Sequence, residues 1–253
     1  MQEAFRQAAE RVYLADRGGS PGGIGTMGER RLHAILKYYL SPDASCHEVR
    51  LGRYVADICA DTGVFEIQTR RMDRLLPKLA AFLAEREVTV VYPVAREKYL
   101  SWIDPEDGTV TSPRKSPRHG CVQDCLYELY YLREYLSHPR FHVRVILCDM
   151  QEYRWQTGFG RGRKRRAPRA ERIPRVLSGD YGLAAPEDYA CLIPASLPVA
   201  FTAKEYAAAV KIPPAAAYRA VQVLLTVGAI RRSGKRGNAY CYERGEVPQD
   251  EPI

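Results

Sequence analysis

The stretch Tyr54-Val-Ala-Asp57-Ile-Cys-Ala-Asp-Thr-Gly63-Val-Phe-Glu66-Ile-Gln68 reads as a β-hairpin that brings an aspartate close to a Glu-x-Gln. Side chains alternate along a strand, so Glu66 and Gln68 share one face while Phe65 and Ile67 turn to the other, toward a core. On the preceding strand Arg53, Val55, Asp57 and Cys59 share a face, and Asp61-Thr62-Gly63 supplies turn chemistry. Asp57 stands beside Glu66 only if odd positions pair with even ones, which needs an even-length loop or a bulge. A plain three-residue loop would separate the two carboxylates. Two carboxylates and a backbone carbonyl form the hard-oxygen environment that suits Mg2+ or Mn2+ at a phosphodiester. The bland alternative is a pair of solvated side chains on an exposed hairpin.

Working outward, Gln2 to Asp16 predicts an amphipathic helix with Phe5, Ala9, Val12 and Tyr13 on one stripe. The glycine-rich run after it lacks the Gly-Lys-Ser/Thr of a phosphate-binding loop and reads as a linker. Gly28 to Leu40 predicts a helix with Leu32, Ile35, Leu36 and Tyr39 inward, and His47 to Leu51 a strand. Beyond the hairpin come a helix from about Arg71 to Glu87 and the apolar strand Val88 to Val94, suited to the middle of a sheet. Lys98 to Ile103 and Thr109 to Thr111 flank a second turn, and Arg114, Lys115 and Arg118 then lie on a proline-held basic loop able to grip backbone phosphate. Val122 to Leu136 reads as a helix whose Tyr127, Tyr130, Tyr131 and Tyr135 form a packed face. Phe141 to Cys148 reads as a strand, with Asp149 and Glu152 just past its end in a helix-capping role or as a weaker acidic site.

Gly28-Glu29-Arg-Arg-Leu-His33 on a helix, then Asp57, then Glu66-Ile-Gln68, a helix and an apolar strand: this order resembles the PD-(D/E)xK nuclease core, the restriction-endonuclease-like fold. The resemblance covers roughly the first 150 residues and rests more on the αβββαβ order than on the short motif. It implies that Asp57 and Glu66 bind the metal, that Glu29 is the first-helix acid of many members, and that Gln68 occupies the position usually held by lysine. Two departures are visible. Gln68 is neutral, as in some restriction enzymes of this fold, and Ala56 stands where proline is usual. The missing positive charge would then come from Lys78, Arg70 or Arg71.

The chain of 253 residues carries a net charge of +8 and is long enough for two domains. No stretch approaches a membrane-spanning length, and the N-terminus lacks a signal peptide's apolar run, so a cytoplasmic protein with no membrane partner is expected. Seven cysteines without disulfide spacing fit reduced thiols, and Cys121 and Cys125 lack the Cys-x-x-Cys spacing of a structural zinc site. Between Arg161 and Arg175 eight basic residues, among them Arg161, Arg163, Lys164, Arg165 and Arg166, face one acid, Glu171, so that the rest of the chain is close to neutral. Such density suits a phosphate backbone through counterion release; the plainer reading is a charged, solvated connector.

At the C-terminus Thr202 and Glu205 have the spacing of a capping box, Pro213-Pro214 opens a helix with Tyr218, Val221, Leu224 and Leu225 inward, and Ala229 to Tyr242 reads as a two-stranded wing. This part resembles a winged helix-turn-helix domain. The resemblance implies that Arg219 and Gln222 reach base edges while Arg231, Arg232, Lys235 and Arg236 meet phosphates. The Pro-Ala-Ala-Ala start of the recognition helix offers little hydrogen bonding to bases, and many winged helices bind protein instead. The whole chain also resembles a bacterial family that pairs such a core with a C-terminal winged helix, which carries over no activity.

The expected architecture is α/β: an N-terminal helix and linker over 1–26, a restriction-endonuclease-like αβββαβ core over 27–155, a basic linker over 156–198, a small winged helix domain over 199–243 and a disordered tail over 244–253. The expected function is metal-dependent hydrolysis of DNA phosphodiesters with Mg2+ or Mn2+, by a homodimer if both strands are cut. The alternative is a non-catalytic DNA-binding regulator with a decayed nuclease core.

Overall fold

The computed structural model describes residues 1–18, 30–157 and 168–245. In chain order they form α1 (Gln2–Gly18), α2 (Arg30–Leu40), β1 (His47–Leu51), β2 (Tyr54–Ala60), β3 (Gly63–Ile67), α3 (Leu76–Leu83), β4 (Val88–Ile103), β5 (Arg114–Lys115), α4 (Cys125–Leu129), β6 (Phe141–Trp155) and β7 (Arg169–Leu183). There follow β8 (Phe201–Thr202), α5 (Ala203–Val210), α6 (Pro214–Thr226), β9 (Ile230–Arg236) and β10 (Ala239–Arg244). The fold is mixed α/β. A seven-stranded sheet has the order β1-β2-β3-β4-β6-β7 with β5 on β4, and a three-stranded sheet has the order β8-β10-β9. The strands β1, β2 and β3 form an antiparallel meander. β4 and β6 run parallel, because the Val88 amide donates to the Arg140 carbonyl at one end and the Gln156 amide to the Ile103 carbonyl at the other.

The chain gathers into two compact units. The first comprises Met1–Ile67, Pro93–Cys121 and Ile146–Asp180. In it α1 buries Phe5, Ala8, Ala9 and Val12, and the Phe5 ring meets Tyr39 of α2 edge-on at 5.3 Å. Leu32, Ile35 and Leu36 are fully buried on α2, as their i, i+3, i+4 spacing dictates. Arg31 bonds Glu171 of β7 at 2.9 Å, and the Tyr39 hydroxyl donates to Asp180 at 2.6 Å.

The second unit comprises Gln68–Tyr92, Val122–Val145 and Tyr181–Ile253. It buries Leu79, Phe82 and Leu83 of α3, Leu126 and Leu129 of α4, and Ala217, Ala220, Val221, Val223 and Leu224 of α6. The capping box at α5 is formed: Thr202 Oγ1 accepts from the Glu205 amide, and Glu205 Oε2 accepts from the Thr202 amide. The Ser137 hydroxyl donates to the Thr226 carbonyl at 3.2 Å, tying the segment after α4 to the end of α6.

Several elements differ from the sequence reading. β4 and β6 run on to Ile103 and Trp155, and Arg169–Leu183, which fell inside the expected linker, is a full strand of the larger sheet. Charged and glycine positions dilute the alternating pattern there, while pairing with β6 supplies the backbone hydrogen bonds that local sequence does not advertise. The compact units also cut across the expected boundary at residue 155, because β4 and β6 contribute to both. The helix expected over 122–136 is a 3-10 turn, a five-residue α4 and a second 3-10 turn. Tyr218 faces solvent, 58% exposed, and the buried stripe of α6 runs through Ala217 and Ala220 instead. The expected glycine-rich linker after α1 and most of the tail lie outside the described residues.

Candidate active site and nucleic-acid interface

The turn between β2 and β3 has two residues, Asp61 and Thr62, since Ala60 pairs with Gly63, Cys59 with Val64 and Ile58 with Phe65. Gly63 takes φ 118°, a conformation L side chains rarely adopt, which explains glycine at the first position of β3. Odd positions therefore pair with even ones, and the same register sets Asp57 across from Glu66. The geometry agrees: the Asp57 amide donates to Glu66 Oε1 at 3.3 Å, and the Ile67 amide donates to Asp57 Oδ2 at 2.8 Å. Glu66 is only 2% exposed, Asp57 half-buried. Asp57 Oδ1 takes no hydrogen bond among the described residues. Two carboxylates on one sheet face, one of them buried, form a hard-oxygen pair of the kind that holds a divalent cation.

No third acid joins them among the described residues. No group of three or more His, Cys, Asp or Glu there is arranged to hold a metal. Glu29 lies outside the described residues. Glu48, which the β1–β2 register sets across from Asp57, has φ 53° and directs its carboxylate to Lys37 Nζ at 2.7 Å; that hydrogen bond lowers the Glu48 pKa. Gln68 belongs with the second unit, where its amide nitrogen donates to the Arg71 carbonyl and its backbone amide to the Val91 carbonyl. Arg71 itself clasps Asp73 through two hydrogen bonds of 3.0 and 2.9 Å, and Lys78 Nζ sits 5.8 Å from the Phe82 ring centroid.

The basic residues fall into distinct groups. Arg114 and Lys115 form β5, which pairs with Leu100 and Tyr99, and Lys115 is bonded to Glu97 at 2.7 Å. Arg118 is exposed, its backbone amide donating to the Ser116 hydroxyl. Arg161, Arg163, Lys164, Arg165 and Arg166 lie outside the described residues. Arg219 lies over Tyr127, Tyr131 and Tyr130 at 4.4, 5.2 and 5.5 Å and donates to the Tyr131 hydroxyl at 2.7 Å. The tyrosines read as a packed face thus serve as a partly exposed platform for the arginine read as a base contact. Gln222 is half-buried on α6. Arg231 pairs with Glu243 at 3.5 Å and Arg236 with Glu205 at 2.7 Å. Arg232 and Lys235 instead lie 4.6 and 4.8 Å from the ring of the exposed Tyr240.

One group escaped the sequence reading. Glu152 of β6, 0% exposed, lies within 4 Å of Lys98 of β4, Arg154 of β6, and Arg169 and Arg172 of β7. Burial opposes its charge, but Arg172 and Lys98, with hydrogen bonds from Arg172 and Arg154, hold its carboxyl down at about 2. Burial lowers the Lys98 pKa, against the attraction of Glu152. Asp149, read with Glu152 as a cap, lies within β6 and accepts from the Glu97 amide and the Ser178 hydroxyl. The signal available in the sequence was Arg154 two residues beyond Glu152, the spacing that puts both on one strand face.

The chain belongs to the family described as "Domain of unknown function (DUF8091)", which matches residues 30–183, from α2 to the end of β7. It is similar to an "Uncharacterized protein" of Treponema pallidum (strain Nichols), 33% identical over 141 residues, 55% of this chain. The match covers 56% of that relative, so the chain spans little more than half its length. No solved structure matches the chain. Among the described residues no helix is long and apolar enough to cross a membrane, and the seven cysteines form no disulfide with one another.

Proposed function

We propose that the chain is a metal-dependent DNA endonuclease with a restriction-endonuclease-like core, placed on DNA by its basic β6–β7 connection and a C-terminal winged helix. The observation that supports this most is the Asp57–Glu66 pair, joined across one hairpin face in the order α2-β1-β2-β3-α3-β4. In this reading Asp57 and Glu66 hold Mg2+ or Mn2+, and Glu29 completes or orients the set. A divalent ion bound there would lower the pKa of a water and offset charge on the phosphodiester. The Ile67 amide fixes Asp57 by holding Oδ2, leaving Oδ1 as its donor atom. The succession α5-α6-β9-β10 supports the winged helix, with Arg232 and Lys235 around Tyr240 as its phosphate contacts. A homodimer would bring two such sites to the two strands.

A second reading, a non-catalytic DNA-binding regulator with a decayed core, is favoured by one observation: the neutral Gln68 is tied to the Arg71 carbonyl. One assay separates them. Wild type and Asp57→Asn are incubated with supercoiled, linear, branched and single-stranded DNA in Mg2+, Mn2+ or EDTA at low and moderate salt. Metal-dependent cutting lost in the variant supports the nuclease; salt-sensitive binding with no cutting in any metal supports the regulator.

A further inference from the structure

In the second compact unit, α4 with the 3-10 turn Tyr130–Leu132 packs against α6, and the contact gathers three tyrosines around one arginine. Tyr131 meets Tyr127 and Tyr130 edge-on, with ring centroids 6.4 and 6.0 Å apart. Arg219 of α6 lies over all three rings, 4.4 Å from the Tyr127 centroid, and its Nη1 donates to the Tyr131 hydroxyl at 2.7 Å. Arg133 adds a second guanidinium, 4.7 Å from the Tyr130 centroid, with Nη1 donating to the Tyr130 carbonyl. Neither arginine forms an ion pair among the described residues; Glu128, the acid on the same turn, accepts from the Met72 amide. A clamp between α4 and α6 does not by itself account for these rings. Leu126, Leu129 and Leu132 on one side and Ala220 and Val223 on the other are at most 1% exposed and already supply an apolar core, whereas Tyr127 and Tyr131 stay 42% and 36% exposed. A tyrosine ring offers a π face, and a guanidinium offers both a plane that stacks and donors suited to phosphate oxygens. A nucleotide has a partner for each. In a duplex the base faces are taken by neighbouring bases, so such a surface meets only bases that are unpaired and unstacked.

We propose that Tyr127, Tyr131 and Arg219, with Arg133 beside them, form a binding site for the unpaired nucleotides of a single strand. The rings and the Arg219 plane stack bases, and Arg133 meets phosphate. The site rests on the reading that the chain acts on DNA, and names a single-stranded segment as the part of the substrate this unit holds. An acidic peptide would engage the two guanidiniums and leave the rings unused, which is why the strand is the better occupant.

The test is the affinity of the full chain, in EDTA so that strands stay intact, for three labelled probes: a 20-nucleotide thymidine strand, an abasic strand of the same charge and a 20-base-pair duplex. Wild type, Tyr127→Ala, Tyr127→Phe and Arg133→Gln are compared, with circular dichroism confirming that each is folded. Wild type should bind the thymidine strand about tenfold or more tighter than the abasic one, the difference being base stacking alone. Tyr127→Ala should lose most of that preference and Tyr127→Phe should keep it. Arg133→Gln should weaken both strands alike and flatten the salt slope by about 0.7, one phosphate contact on a single strand. Equal affinity of wild type for the two strands, or a preference that survives Tyr127→Ala, overturns the site; if duplex binding persists in that case, the DNA reading stands without it. A base-dependent preference for the strand with no duplex binding supports the site and counts against the duplex endonuclease alone. A wild type that binds none of the three probes overturns both and leaves the face to a protein partner.

Discussion

Glu152 keeps its charge in a fully buried place because Arg172, Lys98, Arg154 and Arg169 surround it, and that arrangement has a sign in acid. Its carboxyl is lowered from 4.5 to about 2, so its contribution to stability is complete above about pH 4.5 and is lost as pH falls toward 2. Urea midpoints measured from pH 7 to 2 should drop through that window, and Glu152→Gln should flatten the drop while costing on the order of 3 kcal/mol at pH 7. A variant as stable as wild type at pH 7 would contradict the account. The contrast with Asp57 and Glu66 shows what a sequence makes visible. Those two flank a hairpin turn between apolar alternations, so local pattern put them on neighbouring strands, and the two-residue Asp61-Thr62 turn then set them on one face. Glu152 meets its cations across three strands, and no local pattern near residue 152 announces Lys98, 54 positions earlier.

At the scale of elements, the β2–β3 turn determines whether the candidate site exists. Inserting one glycine between Asp61 and Thr62 makes a three-residue loop, and a one-residue slip would turn Glu66 to the opposite face from Asp57. The insertion should cost a few degrees of melting temperature but remove metal-dependent cleavage; retained cleavage would show that the pair is not the site. The capping box at α5 is a simpler case: Thr202→Ala should cost about 1 kcal/mol, read from denaturant midpoints. Elements with strong local signals, α1, α2, β1 to β3 and α5, were legible because period and turn or cap chemistry agree. β7 and the ends of β4 and β6 were not, since sheet pairing overrides a weak alternation rich in charge and glycine. The tyrosines after Val122 kept helical spacing in the sequence but lie on short helical turns, where Arg219 covers them.

At the scale of the whole molecule, the sequence suggested a core and a C-terminal module joined by a linker, whereas the second compact unit combines Tyr181–Ile253 with Gln68–Tyr92 and Val122–Val145. Removing residues 199–253 would strip α6 from α4, leaving Tyr127, Tyr130 and Tyr131 without Arg219. The truncated chain should bind a hydrophobic dye and melt well below the full chain; unchanged melting would mean that the two parts are independent after all. Binding to duplex DNA should weaken steeply with salt, with a slope in log K against log salt of about −0.9 for each phosphate contact, and Arg232→Gln with Lys235→Gln should flatten it by about 2. The decisive measurement is the single-turnover nicking rate of supercoiled plasmid in Mn2+ by wild type and Glu66→Gln, with circular dichroism confirming that both are folded. A wild-type rate reduced at least a hundredfold in the variant and abolished by EDTA is the expected result. Equal rates in the two folded proteins, or no nicking by wild type in any divalent metal, would contradict the assignment of Asp57 and Glu66 to a catalytic metal site.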